Sequence, residues 1–181
     1  HGWLRAVPVW AWLLTVVAVS FVFRAWFARG MLAPFIMVDE LIYSELARSL
    51  ADSLTFTIRG LPASGYGAVY PALIAPAYAA FERIPDAYAA VKTINSLLMS
   101  LAAIPAYFLA RRVVGQGLAL VASVLAVAVP SMVYTAVVMT ENAFYPVFLL
   151  AALALVALLE RPSTTRYLAF LAALALAYLT R

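Results

Sequence analysis

Four stretches of this chain carry no charged residue over at least 18 positions: residues 6–23, 93–110, 113–140 and 142–159. A helix of that length spans the ~30 Å hydrocarbon core of a bilayer. Inside lipid the backbone must satisfy its own hydrogen bonds, which leaves a helix as the natural form for such a run. A fifth apolar run starts at Tyr167 and reaches Arg181 after only about 15 residues, too few to cross comfortably, so the chain is expected to be part of something longer. Composition agrees: 67% of residues are hydrophobic and 11% charged, against about 45–50% and about 25% in a soluble domain. The sequence therefore predicts an all-α, polytopic integral membrane protein, with about five transmembrane helices.

The expected spans are 6–27, 89–110, 117–138, 142–159 and a last one from 167. One Arg precedes the first run and no small-residue cleavage site follows it, so it reads as a retained helix and not a signal peptide. Residues 60–81 are also uncharged but contain Gly60, Pro62, Gly65, Gly67, Pro71 and Pro76. Their helical part, 71–83, is roughly 20 Å long, which suits a helix lying in the interface. Residues 39–53 form a second interfacial helix. With 71–83 flat, Arg5, Arg111, Arg112, Arg161 and Arg166 share one side, the cytoplasmic one. The long loop facing the other way, residues 28–88, holds six of the eight acids.

With no cysteine, thiolate chemistry is absent. The basic residues are scattered, which argues against nucleic acid as a partner. No phosphate-cradling GxxxxGK[ST], HExxH or Gly-x-Ser-x-Gly motif occurs. The acids of the outer loop could form a site, or simply a solvated cap. On the 39–53 helix, Glu45, Arg48 and Asp52 share one face and Leu46, Leu50 and Leu54 another. Asp39 suits a helix N-cap, or a catalytic carboxylate at the water–lipid boundary. Glu40 suits the first helical turn. Glu141 is the one acid between Asp86 and Glu160. It reads as a helix-end acid, or as a partner that approaches Asp39. Two facing carboxylates can divide general-base and acceptor-binding work, and they permit a divalent cation between them. Lys92 and Arg59 each suit either a lipid phosphate or an ordinary interfacial charge. Arg24 and Arg29 read as interfacial anchors. The tyrosines form an aromatic belt, in which Tyr66 and Tyr70 sit where a substrate can pass.

The order of short motifs carries a resemblance. Asp39-Glu40-Leu41-Ile42-Tyr43 follows the first helix; Tyr70-Pro71 comes after a Gly- and Tyr-rich turn. Then come Lys92-Thr93-Ile94-Asn95, Arg111-Arg112 and Thr140-Glu141-Asn142. This resembles the N-terminal part of the GT-C membrane glycosyltransferases, nearest to family-39-like bacterial protein mannosyltransferases and lipid A aminoarabinose transferases. The resemblance implies a multi-pass enzyme of the plasma (inner) membrane with its site toward the periplasm or cell exterior. It would take a sugar from a polyprenyl-phosphate donor among the membrane lipids and pass it to a lipid, glycan or protein acceptor. Asp39 would be the catalytic base, Glu40 and Tyr43 its neighbours in the motif, and Glu141 the acid of the second outer loop. Arg59 and Lys92 would meet the donor phosphate. Some relatives carry a basic residue before the Pro of the second interfacial helix; Tyr70 stands there in this chain.

Two other readings belong to different classes: a non-catalytic membrane subunit, and a flippase or transporter of lipid-linked sugars. Transporters concentrate polar groups near the bilayer midplane. The midplane stretches here are nearly bare of charge, which favours chemistry at the interface.

Overall fold

The computed structural model describes residues 7–32, 34, 38–128 and 134–181. Helix α1 is Val9–Ala28 and α2 is Val38–Ser53; a hairpin of β1 (Thr57–Ile58) and β2 (Leu61–Pro62) follows. Then come α3 (Val69–Ala80), α4 (Ile84–Leu101), α5 (Ala103–Ala110), α6 (Gln116–Ala128), α7 (Glu141–Glu160) and α8 (Thr164–Thr180). Among the described residues, three stretches are long and apolar enough to cross a membrane: α1, α4 with α5 as one 27-residue run, and α7. α3, α6 and α8 are shorter apolar helices. The chain is an all-α membrane protein.

Local sequence accounts for the breaks. Pro105 has no N–H to give the carbonyl of Leu101, four residues back, and the ladder slips at Ala102 between α4 and α5. Pro85 opens α4 in its first turn, where no donor is needed. The hairpin turns through Arg59 (φ 51°) and Gly60 (φ 81°), the paired positive φ values of a tight two-residue turn.

The bundle alternates. α1 packs on α4, α5 on α6, and α7 on α8, with α4 and α5 also against α7. Small residues let the backbones close: Ala151, Ala173 and Ala177 are buried along α7 and α8, Ala102, Ala103 and Ala119 along α5 and α6. α2 lies on α3, and α3 on α4. Tyr43, Leu46, Tyr70, Ile74, Tyr88 and Val91 form their common core. At the far end of the bundle, Arg112 and Glu160 form an ion pair that ties the end of α5 to the end of α7.

Two cations lie elsewhere than expected. Arg24 is not an interfacial anchor. It is 1% exposed, donates to the carbonyl of Val127, and donates to Ser20 Oγ at 3.2 Å. Ser20 in turn accepts from Ser100 on α4 at 2.9 Å. The last turn of α6 leaves carbonyls without helical partners, and a cation is the natural cap for them. Lys92 is 7% exposed and donates to the carbonyls of Ala28 and Met31, just where α1 runs out. Its Nζ also lies 5.0 Å from the ring centre of Tyr88.

The expected third span, 117–138, also differs. α6 ends at Ala128; 129–133 lie outside the described residues; 134–136 form a single 3-10 turn, and 137–139 are not helical. This buried, irregular backbone borrows donors from its neighbours. Tyr88 Oη donates to the Ala136 carbonyl at 2.9 Å. Asn95 Nδ2 donates to Val137 at 2.9 Å. Asn142 Nδ2 faces the carbonyls of Tyr134, Met139 and Val137 at 2.8, 3.0 and 3.2 Å. Non-helical backbone in a membrane protein is tolerated where protein supplies its hydrogen bonds.

Candidate functional site

The start of α7 is approached from two sides: by the first turns of α2, where Tyr43 bonds Thr140, and by the end of α8, where Arg181 lies over Phe144. α2 begins at Val38, so Asp39 is the second residue of its first turn and not its cap, and it is exposed. Glu40 is next to it but on the other side of the helix. It is buried, and its charge acts on Tyr78 and Tyr88. One turn on from Asp39, Tyr43 points into the core and is 8% exposed.

The charges of two acids reach the Tyr43 hydroxyl. Burial raises its pKa above the ordinary tyrosine value, and the negative charges of Asp39 and Glu141 raise it further, while a hydrogen bond with Thr140 works against them. Thr140 Oγ1 also donates to Glu141 Oε2 at 3.4 Å. Glu141 opens α7 and is half-buried. Two carboxylates about 100 residues apart in sequence thus act on one phenol. Among the described residues no three of His, Asp and Glu gather into a metal-binding group. Among the described residues, the acids whose charges reach Tyr43 at this corner are Asp39 and Glu141.

Aromatic rings wall the corner. Tyr66 stands edge-on to Tyr43 with ring centres 6.1 Å apart, and is 37% exposed at the rim. Tyr70 is edge-on to Tyr43 from below at 5.7 Å, fully buried, and donates from its hydroxyl to Asn95 Oδ1 at 3.1 Å. It supports the site from within and offers no surface to a substrate, unlike the sequence expectation. Burial holds its hydroxyl well above the ordinary range.

The cations divide differently from the sequence reading. Arg59 is exposed at the hairpin tip and, among the described residues, makes no contact with either carboxylate. Lys92 is committed to the carbonyls at the end of α1. Arg181, at the end of α8, places its guanidinium 5.5 Å from the ring centre of Phe144, one turn along α7 from Glu141. Gly67 fixes that approach. A Cβ there would meet the carbonyl of Leu179 at 2.5 Å and the Arg181 nitrogen at 2.8 Å. Sequence reasoning passed over Arg181 because nothing local ties it to the acids; only the fold brings α8 back. A separate groove of about 980 Å³ runs between α1, α3 and α4, bordered by Trp26, Arg29, Phe81 and Lys92. Neither Asp39 nor Glu141 lines it.

An all-α membrane protein with two acids at a rim of helix ends has the layout of an enzyme working at the membrane surface. Residues 70–181 match the family described as dolichyl-phosphate-mannose-protein mannosyltransferase. The chain belongs to that family of membrane glycosyltransferases. No curated protein and no solved structure matches it. The matched region contains Glu141 and Arg181 and begins at Tyr70, beyond Asp39 and Tyr43.

Proposed function

We propose that this chain carries part of the active site of a glycosyltransferase. The enzyme moves a sugar from a polyprenyl-phosphate donor to a hydroxyl of a lipid, glycan or protein acceptor at the extracytoplasmic face of the membrane. Asp39 is the general base. An acceptor hydroxyl is a weak nucleophile until a carboxylate takes its proton, and Asp39 is the exposed acid of the pair. Glu141 orients the acceptor or shares a bound cation with Asp39. As the sugar leaves, the donor phosphate retains the bonding electrons and needs a positive partner. Arg181 fills that role, with Phe144 beneath its guanidinium. Tyr66 forms the open wall against the sugar or acceptor. Glu40 and Tyr43 hold the first turns of α2 in place.

The observation that carries this reading is the match of residues 70–181 to a membrane glycosyltransferase family, with Asp39 exposed in the first turn of α2 and Glu141 opening α7. The test is Asp39→Asn in the full-length protein, assayed with dolichyl-phosphate mannose and a hydroxyl-bearing peptide. Transfer is expected to fall at least ~100-fold with the fold intact. Near-normal turnover in that variant removes Asp39 as the base.

A further inference from the structure

The non-helical stretch ahead of α7 is more than a break in a span. Among the described residues, two of its buried carbonyls, Ala136 and Val137, receive no backbone donor. They depend on Tyr88, Asn95 and Asn142. Tyr88 and Asn95 lie on α4, seven residues apart, and so project from one face. Asn95 is itself held, because its Oδ1 accepts the Tyr70 hydroxyl. Its amide is thus occupied on both sides: one atom is tied to α3 and the other to the segment that leads into α7. Asn142 grips the same segment from the other direction, out of the first turn of α7. The gripped backbone runs straight into Thr140, which bonds both Tyr43 and Glu141. A ladder of helical hydrogen bonds would have carried Glu141 wherever α6 pointed; this segment places it by side-chain contacts instead.

We propose that Asn95 and Asn142 are positioning residues that set where Glu141 stands relative to Asp39, acting through the carbonyls of residues 134–139. The inference rests on the reading that these two acids work together. Neither asparagine touches the substrate. Asn95 links the interfacial helix α3, through Tyr70, to the same backbone, so the height of Glu141 is coupled to the seating of α3.

The experiment uses the absence of cysteine from these 181 residues, with any cysteine elsewhere in the full-length protein replaced by serine. In the full-length protein reconstituted in nanodiscs, Asp39→Cys and Glu141→Cys are combined and their rate of joining by a short bifunctional maleimide is measured. A second pair, Arg112→Cys with Glu160→Cys, reports on the opposite end of the bundle. Asn95→Asp keeps the shape and the acceptor for Tyr70 but replaces the N–H donor to Val137. Asn142→Asp is the parallel variant. Each is expected to slow the 39/141 cross-link roughly tenfold, the scale of one buried hydrogen bond lost, with the 112/160 rate unchanged. An unchanged 39/141 rate in both variants overturns the inference. Equal slowing of both pairs also overturns it, because the asparagines would then serve only general folding. Failure of the 39/141 pair to join even with both asparagines present overturns the two-acid reading itself, and this inference with it.

Discussion

Gly67 lies directly against the backbone carbonyl of Leu179, so closely that a methyl group there would come within 2.5 Å of the oxygen. The obstacle is backbone at the end of α8 and not the tip of a flexible side chain. The loop before α3 and the last turn of α8 therefore fit only with hydrogen at that position. Gly67→Ala is expected to push the two apart and destabilise the protein by about 1–3 kcal/mol. It should also weaken donor binding by moving Arg181 off Phe144. Thermal unfolding and donor KM measured on the same preparation check both effects.

Glu141→Gln keeps the size and the hydrogen bond from Thr140 but removes the charge. Transfer is expected to drop about 10–100-fold, less than for the general base itself. The fold should hold, because glutamine suits the half-buried position. Repeating the assay after exhaustive chelation tells which work Glu141 does. Loss of the residual activity on chelation, with recovery on adding a divalent ion, assigns a shared cation. Insensitivity assigns acceptor orientation.

Lys92→Met separates the two readings of this residue. If Lys92 caps α1, as its bonds to Ala28 and Met31 show, methionine fills the space but leaves two carbonyls without a donor. Stability should fall by about 2 kcal/mol with donor KM unchanged in the folded fraction. A raised KM at unchanged stability would instead make Lys92 a phosphate ligand.

Alkaline pH should find the tyrosines of α2 and α3. The hydroxyls of Tyr43, Tyr70 and Tyr78 are all raised, by burial above all. A group whose folded pKa lies above its unfolded one stabilises fully below the unfolded value. It loses that contribution as pH climbs toward the folded one. The unfolded reference here is 10.0, so the midpoint of unfolding should decline once pH passes about 10. Tyr43→Phe should flatten that decline. Tyrosinate absorbance followed alongside unfolding tests the assignment.

Much of this was legible from charge alone. Runs without charge located α1, α4 with α5, and α7, because lipid tolerates little else. The i,i+3 spacing of Glu45 and Arg48 foretold their 3.1 Å pair. What failed was the reading of polar residues set inside apolar runs. Arg24 near a helix end looks like an anchor when only its own helix is considered. It becomes a cap once α6 is seen to stop beside it. The irregular stretch before α7 is as apolar as a span, so hydropathy could not distinguish the two. The hint lay in Asn95 and Asn142, two amides in oily surroundings that demand backbone partners. Whether two acids as far apart in sequence as Asp39 and Glu141 act on one phenol is a matter of tertiary packing, and no local pattern reports it.

The bracing of α6 by Arg24, and of α4 by Ser20, gives the first helix duties beyond anchoring. A generic hydrophobic leader grafted in its place would still insert and still tether the chain. It would deliver neither the guanidinium nor the hydroxyl, and α6 would lose the cap on its last turn. The opening helix is therefore a keystone, specific to this architecture and not exchangeable with anchors of equal oiliness.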